Sequence, residues 1–285
     1  HHANIVPWQI LREKIGIKIK LIPLTDDFQL NFEEYKKLFS KQTKLVSIIH
    51  VSNTLGTINP IEKFIEIAHL NNVPILIDAS QSIQHIEIDV QKLDCDFLVF
   101  SGHKIYAETG IGILYGKEQW LNKLPPYQSG GDMITDVSFE KTTYADLPLK
   151  FEAGTTNYVG AYSLGIAIDY LQSLGLENIK KYETELFDYA YEKLSKFEDI
   201  EIYATKQTNR VGAISFNIKG IHHYDLGMMI DKFGVAVRTG THCTQPLVNL
   251  LGQTGTVRAS FAFYNLLEEI DIFAEILPKV IRMLK

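Results

Sequence analysis

Two short stretches in the first half of this 285-residue chain combine residue types that can do chemistry. Ser101-Gly102-His103-Lys104 follows Phe97–Ser101 (FLVFS), which reads as a buried strand. Ligands of open α/β sheets bind beyond the carboxyl ends of strands, so a catalytic group belongs there. A lysine used for Schiff-base chemistry must be partly desolvated, so that its amine is neutral often enough to attack a carbonyl. The plainer alternative for Lys104 is a solvated lysine after a strand. Asp78 closes VPILID and is followed by Ala79-Ser80-Gln81. A carboxylate so placed can keep the pyridine nitrogen of pyridoxal phosphate protonated and strengthen the ring as an electron sink. Gln81 is then placed to bond the phenolic oxygen of that ring. Asp78 can equally cap the next helix. An Asp at one strand end and a Lys at the next give a planar cofactor two fixed points.

Two further stretches lie in the second half. In RTGTHCTQP, Arg238 to Pro246, Cys243 sits among Gly, Thr and His in a polar loop, unlike a core cysteine. His242 and Arg238 are expected to favour its thiolate, the nucleophilic form; an incidental exposed thiol is the alternative. Cys95, in KLDCDF, reads instead as a partly buried small hydrophobe. Arg258, in TVRAS, is an arginine within an apolar strand and needs a carboxylate, because an unpaired buried guanidinium is costly. That carboxylate is either structural or belongs to an amino-acid substrate gripped by the two-pronged guanidinium. Asn53, in VSNTLGT, is a weaker candidate for the same region and can equally be a turn residue.

The elements that must position these groups follow from periodicity. Lys44–Ile49, Val73–Asp78, Phe97–Ser101 and Gly112–Tyr115 read as largely buried strands, being short and continuously apolar. Between the first two, Ile61, Phe64, Ile65 and Ala68 share one helix face within Pro60–Asn71, with Pro60 suited to a helix start. Strand, helix, strand at this spacing implies a mostly parallel sheet covered on both faces. After a helix over Ser163–Leu174 the pattern changes. A long helix over about Glu177–Phe197 precedes strands at Ala213–Ile218, Val235–Arg238 and Val257–Phe263, then a last helix over about Glu268–Leu284. Asn265 and Glu268 resemble a capping box for it. The fold class is therefore α/β, with residues 1–174 as a large domain and 175–285 as a smaller C-terminal α+β domain that carries the cysteine loop.

Composition narrows the function classes. A formal charge of −6 gives no basic face for nucleic acid or anionic membrane. No apolar run approaches the roughly 20 residues that span a bilayer. Two distant cysteines suggest neither a disulfide framework nor a thiolate zinc site, so no metal is expected and a reducing, cytoplasmic compartment is. The start, HHANIVPWQ, lacks an initiator Met and enters a periodic segment at once; the chain is expected to begin partway into a longer protein.

Together HHANIVPWQ, HVSNTLGT, DASQ, DCDFLVFSGHK, FEAGT, RTGTHCTQP and TVRASFAFYN resemble the motifs of the Suf-type (group II) cysteine desulfurases and selenocysteine lyases. These belong to the class V aminotransferase branch of fold-type I pyridoxal-phosphate enzymes. The resemblance runs from His1 to the C-terminus. It implies that His1 stacks on the pyridine ring and takes part in proton transfer, and that Asn53, Asp78 and Gln81 hold the ring. Ser101 and His103 would bind the cofactor phosphate and Lys104 would hold the cofactor covalently. Thr155 would reach the phosphate of the neighbouring subunit's cofactor, which implies a homodimer with shared sites. Arg238 and Arg258 would engage L-cysteine, or L-selenocysteine, with Arg258 on its carboxylate. Cys243 would take the sulfur as a persulfide and pass it to a Suf-type acceptor protein for iron–sulfur cluster assembly. The short segment around Cys243 points to the Suf-type group.

The sequence departs from the family pattern at Ala107-Glu108, where a Gly-Pro pair is usual, at Ala79-Ser80, and at Thr241, where many members carry histidine. An N-terminal part of the family is also absent. The rival expectations are another class V enzyme, which does not explain Cys243, and a non-catalytic remnant serving as a scaffold.

Overall fold

The structure is a computed structural model that describes residues 1–203 and 210–285. Four strands, β1 (Val46–Ile49), β2 (Ile75–Asp78), β3 (Phe97–Ser101) and β4 (Gly112–Gly116), form the first sheet in the order β1-β2-β3-β4. The first three run parallel, as the strand–helix–strand spacing requires, and β4 returns antiparallel to β3. The crossover helix Ile61–Leu70 buries Ile61, Phe64, Ile65 and Ala68, the four positions that share one face in the sequence. Each large apolar side chain so buried contributes about 1.5–3 kcal/mol. Pro60 caps its start, and Asn71 and Asn72 (φ 55°) turn the chain back towards β2.

β4 departs from expectation. It was to be largely buried, yet Ile113 is 40% and Leu114 53% exposed. An antiparallel edge strand has only one neighbour, and a continuous apolar run carries no mark of which face is covered.

An exposed hairpin, β5 (Ile134–Val137) with β6 (Thr142–Tyr144), had no clear sequence pattern. The helix foreseen from Ser163 begins at Tyr158, where the Asn157 side chain caps the Gly160 N–H at 2.9 Å. It ends at Leu174, and a single residue, Gly175 (φ 82°), leads into the next helix, Leu176–Leu194.

The second sheet is antiparallel throughout: β7 (Ile200–Ile202), β8 (Ala213–Ile218), β9 (Arg238–Gly240) and β10 (Thr256–Ser260), in the order β7-β8-β10-β9. Alternate residues of β8 face opposite ways. Ile214, Phe216 and Ile218 enter a core with Leu186, Leu226, Ile230, Phe273 and Leu277 from the covering helices Leu176–Leu194, His223–Lys232 and Leu267–Leu284. Ser215 and Asn217, also buried, instead bond to polar groups of other segments.

Two boundaries move. The strand expected at Val235–Arg238 pairs only from Arg238, because its ladder with β10 begins at Arg238↔Arg258. The last helix is capped one residue later than the Asn265–Glu268 pair suggests. Glu269, not Glu268, accepts from the Leu266 N–H at 2.9 Å, while the Asn265 side chain accepts from the Ala262 N–H. Among the described residues no helix is long and apolar enough to cross a membrane.

Candidate active site

The parallel register fixes the first two groups. Asp78 ends β2 opposite Val99 of β3 and is 7% exposed. β3 runs two residues further, to Ser101, and one turn of 3-10 helix, Gly102–Ile105, follows with Lys104. Asp78 Oδ1 accepts from the Ser80 N–H at 3.0 Å, so the local capping role is real, though no long helix follows it. Burial holds the Lys104 amine below its ordinary range. The Asp78 carboxylate opposes that shift, Arg258 and Arg238 add to it, and Cys243 opposes it. All five groups therefore share one electrostatic neighbourhood, although Asp78 and Lys104 come from one sheet and the other three from the second.

Arg258 lies in β10, with Nη1 donating to the Asn53 carbonyl at 2.7 Å. Its Nε is buried with no hydrogen-bond partner, and no ion pair joins it to a carboxylate among the described residues. Desolvation, then the neighbouring Arg238, lower its pKa, and Cys243 partly offsets them. The expected structural carboxylate is thus not present among those residues, which leaves a desolvated guanidinium with donor capacity to spare. Asn53, 6% exposed, donates from Nδ2 to the His242 carbonyl at 2.7 Å, and its Oδ1 is buried without a partner.

Cys243 is partly exposed, with Sγ 3.7 Å from Arg238 Nη2. It sits in a tight turn, Thr241 to Thr244, closed by the Thr244 N–H on the Thr241 carbonyl at 2.7 Å. Both central residues, His242 (φ 52°) and Cys243 (φ 60°), are left-handed. Those φ signs belong to a type I′ turn, which favours Asn-Gly. For other residues the conformation costs about 1–2 kcal/mol each.

His242 corrects the expectation that it helps form the thiolate. It is 2% exposed, and burial first, then Arg258 and Arg238, push its pKa down to about 4. Its Nε2 lies 2.8 Å from the Thr256 hydroxyl and 3.1 Å from the Thr256 carbonyl. A neutral, inward-facing imidazole supplies no positive charge to Cys243, so Arg238 is left as the cation beside the sulfur. Cys95 is fully buried, more so than expected, and burial raises its thiol to about 11.

The remaining candidates differ in placement. Ser101 Oγ and His103 Nδ1 lie 2.9 Å apart near the surface of the turn that carries Lys104. His1 accepts from the Ala3 N–H through Nδ1, and the next residue meets the cysteine turn directly: the His2 N–H donates to the Cys243 carbonyl at 2.8 Å. Gln81 is partly buried in the turn after Asp78, with no side-chain hydrogen bond among the described residues. Thr155 is exposed after Gly154 (φ 71°), and no hydrogen bond joins it to the other candidates. Sequence reasoning missed His2, Thr54, Ser215 and Thr244, which brace the cysteine turn or the loop beneath it. His2, Thr54 and Thr244 stand inside named motifs and Ser215 within a predicted strand, but nothing in their residue types set them apart.

The class V aminotransferase family model matches residues 1–273. A cysteine desulfurase from Salmonella dublin is 48% identical over 285 residues, all of this chain and 70% of that protein. The crystal structure of the cysteine desulfurase CsdA (S-sulfonic acid) from Escherichia coli superposes with a TM-score of 0.96 at 33% identity, covering all of this chain and 71% of that one. The apo cysteine desulfurase from Thermococcus onnurineus NA1 gives 0.95 at 38% identity, with the same coverage.

The chain belongs to the class V aminotransferase family, and within it to the cysteine desulfurases. Enzymes of this family use pyridoxal 5′-phosphate. The residues present fit that group: a buried carboxylate and a desolvated lysine stand at neighbouring strand ends, and Asn53 Oδ1 and Arg258 Nε are left with unused bonding capacity.

Proposed function

We propose that this protein is a pyridoxal-phosphate-dependent cysteine desulfurase that moves sulfur from L-cysteine to Cys243 and releases L-alanine. The observation that carries the reading is a partly exposed thiol, Cys243, whose Sγ lies 3.7 Å from Arg238 Nη2 in a turn tied to Asn53. An aminotransferase of the same branch has no use for such a thiol.

In this reading Lys104 would hold the cofactor through Nζ, Asp78 would bond its ring nitrogen, and Asn53, Gln81 and His1 would engage the ring. Ser101 and His103 would bind its phosphate, while Thr155 would serve the site of a second subunit in a homodimer. Bound pyridoxal phosphate supplies an electron sink for the bonds at the substrate's Cα and Cβ. Arg258, with its buried Nε free to donate, grips the substrate carboxylate in a charge-assisted bond. Lys104 Nζ, whose pKa burial lowers, carries the proton at Cα. The Cys243 thiolate, next to the Arg238 guanidinium, attacks the substrate sulfur. An S–S bond forms and the Cβ–S bond breaks; its electron pair stays on Cβ, which takes a proton to become the methyl group of alanine. The reaction needs no external oxidant.

We extend the proposal to a division of the chain at Gly175 into domains 1–174 and 175–285, to L-selenocysteine as a second substrate, and to a cytoplasmic enzyme that hands its persulfide to a Suf-type acceptor protein for iron–sulfur assembly. The support is the short cysteine turn, the two free thiols and the one-residue connection at Gly175 between the two long helices.

The test is alanine release from L-cysteine in the presence of reductant, together with mass spectrometry of protein exposed to L-cysteine without reductant, since a reductant strips the persulfide. Wild type is expected to gain one sulfur atom on Cys243. Cys243→Ala is expected to lose turnover by about 10⁴-fold or more, the scale of removing a catalytic nucleophile. Lys104→Ala is expected to abolish the cofactor's visible absorbance. Wild-type turnover in Cys243→Ala would move the chemistry off this thiol.

A further inference from the structure

The turn that carries Cys243 is closed twice on one carbonyl. The Thr244 N–H donates to Thr241 O at 2.7 Å, and the Thr244 hydroxyl donates to the same oxygen at 2.9 Å. A hydroxyl has one proton. Both hydroxyl contacts of Thr244 are hydrogen bonds at once only when Thr244 donates to Thr241 O and Thr54 Oγ1 donates to Thr244 Oγ1 at 2.7 Å. Thr54 is fully buried and Thr244 is 4% exposed, so solvent does not compete for these bonds.

Thr54 is itself anchored. Its carbonyl accepts from Ser215 Oγ of β8 at 2.6 Å, and its neighbour Asn53 holds the His242 carbonyl. A one-way chain of hydroxyl bonds therefore runs from the loop braced on β8 to the start of the turn. The turn needs such bracing, because His242 and Cys243 both occupy the left-handed region without being glycine or asparagine.

We propose that the Thr54–Thr244 hydroxyl pair is a positioning latch that holds the Cys243 turn in its left-handed form and so fixes where the sulfur stands relative to Lys104 and Arg258. The inference rests on the reading of Cys243 as the sulfur-receiving thiol. Neither threonine is placed on substrate or cofactor; both act through the backbone of the turn.

Thr244→Val keeps the shape and removes the hydroxyl, Thr54→Val does the same from the other side, and Thr244→Ser restores the hydroxyl. The first measurement is the iodoacetamide alkylation rate of each cysteine in the full chain, read by mass spectrometry without substrate. Either valine variant is expected to speed alkylation of Cys243 roughly fivefold to tenfold, as a buried hydrogen bond is worth, with Cys95 unchanged and Thr244→Ser at the wild-type rate. The second is steady-state turnover of the holoenzyme, where kcat is expected to fall by a similar factor while KM for L-cysteine stays within about twofold. Opposite movements of thiol accessibility and turnover are what a positioning role predicts. The latch is overturned if Cys243 alkylates at the wild-type rate in both valine variants, if Cys95 accelerates in step with Cys243, or if Thr244→Ser behaves like Thr244→Val. Alkylation requires no desulfurase activity, so it decides the latch even if wild type takes up no sulfur.

Discussion

Replacing His242 with Gln is expected to flatten the acid side of the stability profile by about one proton. The imidazole is buried beside two guanidinium groups, and its pKa falls from 6.5 to about 4 on folding. That drop amounts to about 3 kcal/mol of preference for the neutral ring. Because the folded pKa lies below the unfolded one, the unfolded chain binds the proton first as the pH falls. The contribution is whole above about pH 6.5 and gone by about pH 4, and in between it changes by about 1.2 kcal/mol per pH unit. His50, 6% exposed and also lowered to about 4 by burial, adds a similar slope to both proteins, so it cancels in the comparison. Glutamine can place an amide where His242 Nε2 meets Thr256, and it does not titrate. The assay is urea unfolding of wild type and His242→Gln at intervals from pH 7.5 to 5. Wild type should lose about 2 kcal/mol more than the variant over the acid part of that range. Parallel profiles would refute the reasoning, because they would mean that the ring keeps its proton in the folded protein and stands as a cation beside Cys243.

Two further outcomes test the frame around the site. Gly56 has φ 69°, and a Cβ there would stand 2.5 Å from the Val211 carbonyl, a backbone atom that cannot turn aside. Gly56→Ala is therefore expected to destabilise the protein by about 1–3 kcal/mol, and an unchanged thermal midpoint would show that the loop beneath the cysteine turn yields freely. His85 and Glu183 form a buried pair at 2.5 Å, with the glutamate 1% exposed, which ties the segment after β2 to the helix Leu176–Leu194. His85→Ala leaves that carboxylate uncompensated and should cost about 3–5 kcal/mol in chemical denaturation; a loss below about 1 kcal/mol would mean that solvent reaches it.

Much of the frame was legible because it rests on local rules. The helix face Ile61, Phe64, Ile65 and Ala68 and the strand ends at Asp78 and Ser101 follow from period and length alone, and they put a carboxylate and an amine side by side. The exposure of β4 was not legible, since a short apolar run says nothing about whether a neighbour covers it. Nor was the character of His242. A histidine beside a cysteine suggests an ion pair, and only the packing of β10 behind it turns the ring inward to Thr256. The braces Thr54, Ser215 and Thr244 escaped for the same reason: their meaning lies in partners more than a hundred residues away.

That separation bears on when the protein becomes competent. Asn53 meets His242 across 189 residues of chain and Arg258 across 205. During synthesis the parallel strands that present Asp78 and Lys104 can pair while the cysteine turn and β10 have yet to leave the ribosome. N-terminal units fold first, and contacts of such span are the slow ones to form. The thiol and the guanidinium that would hold the substrate are both made long after Asp78 and Lys104, so the complete site closes only once they have emerged. A nascent or C-terminally nicked molecule would carry the reactive lysine without its sulfur-handling half, which separates the birth of the fold from the birth of the activity.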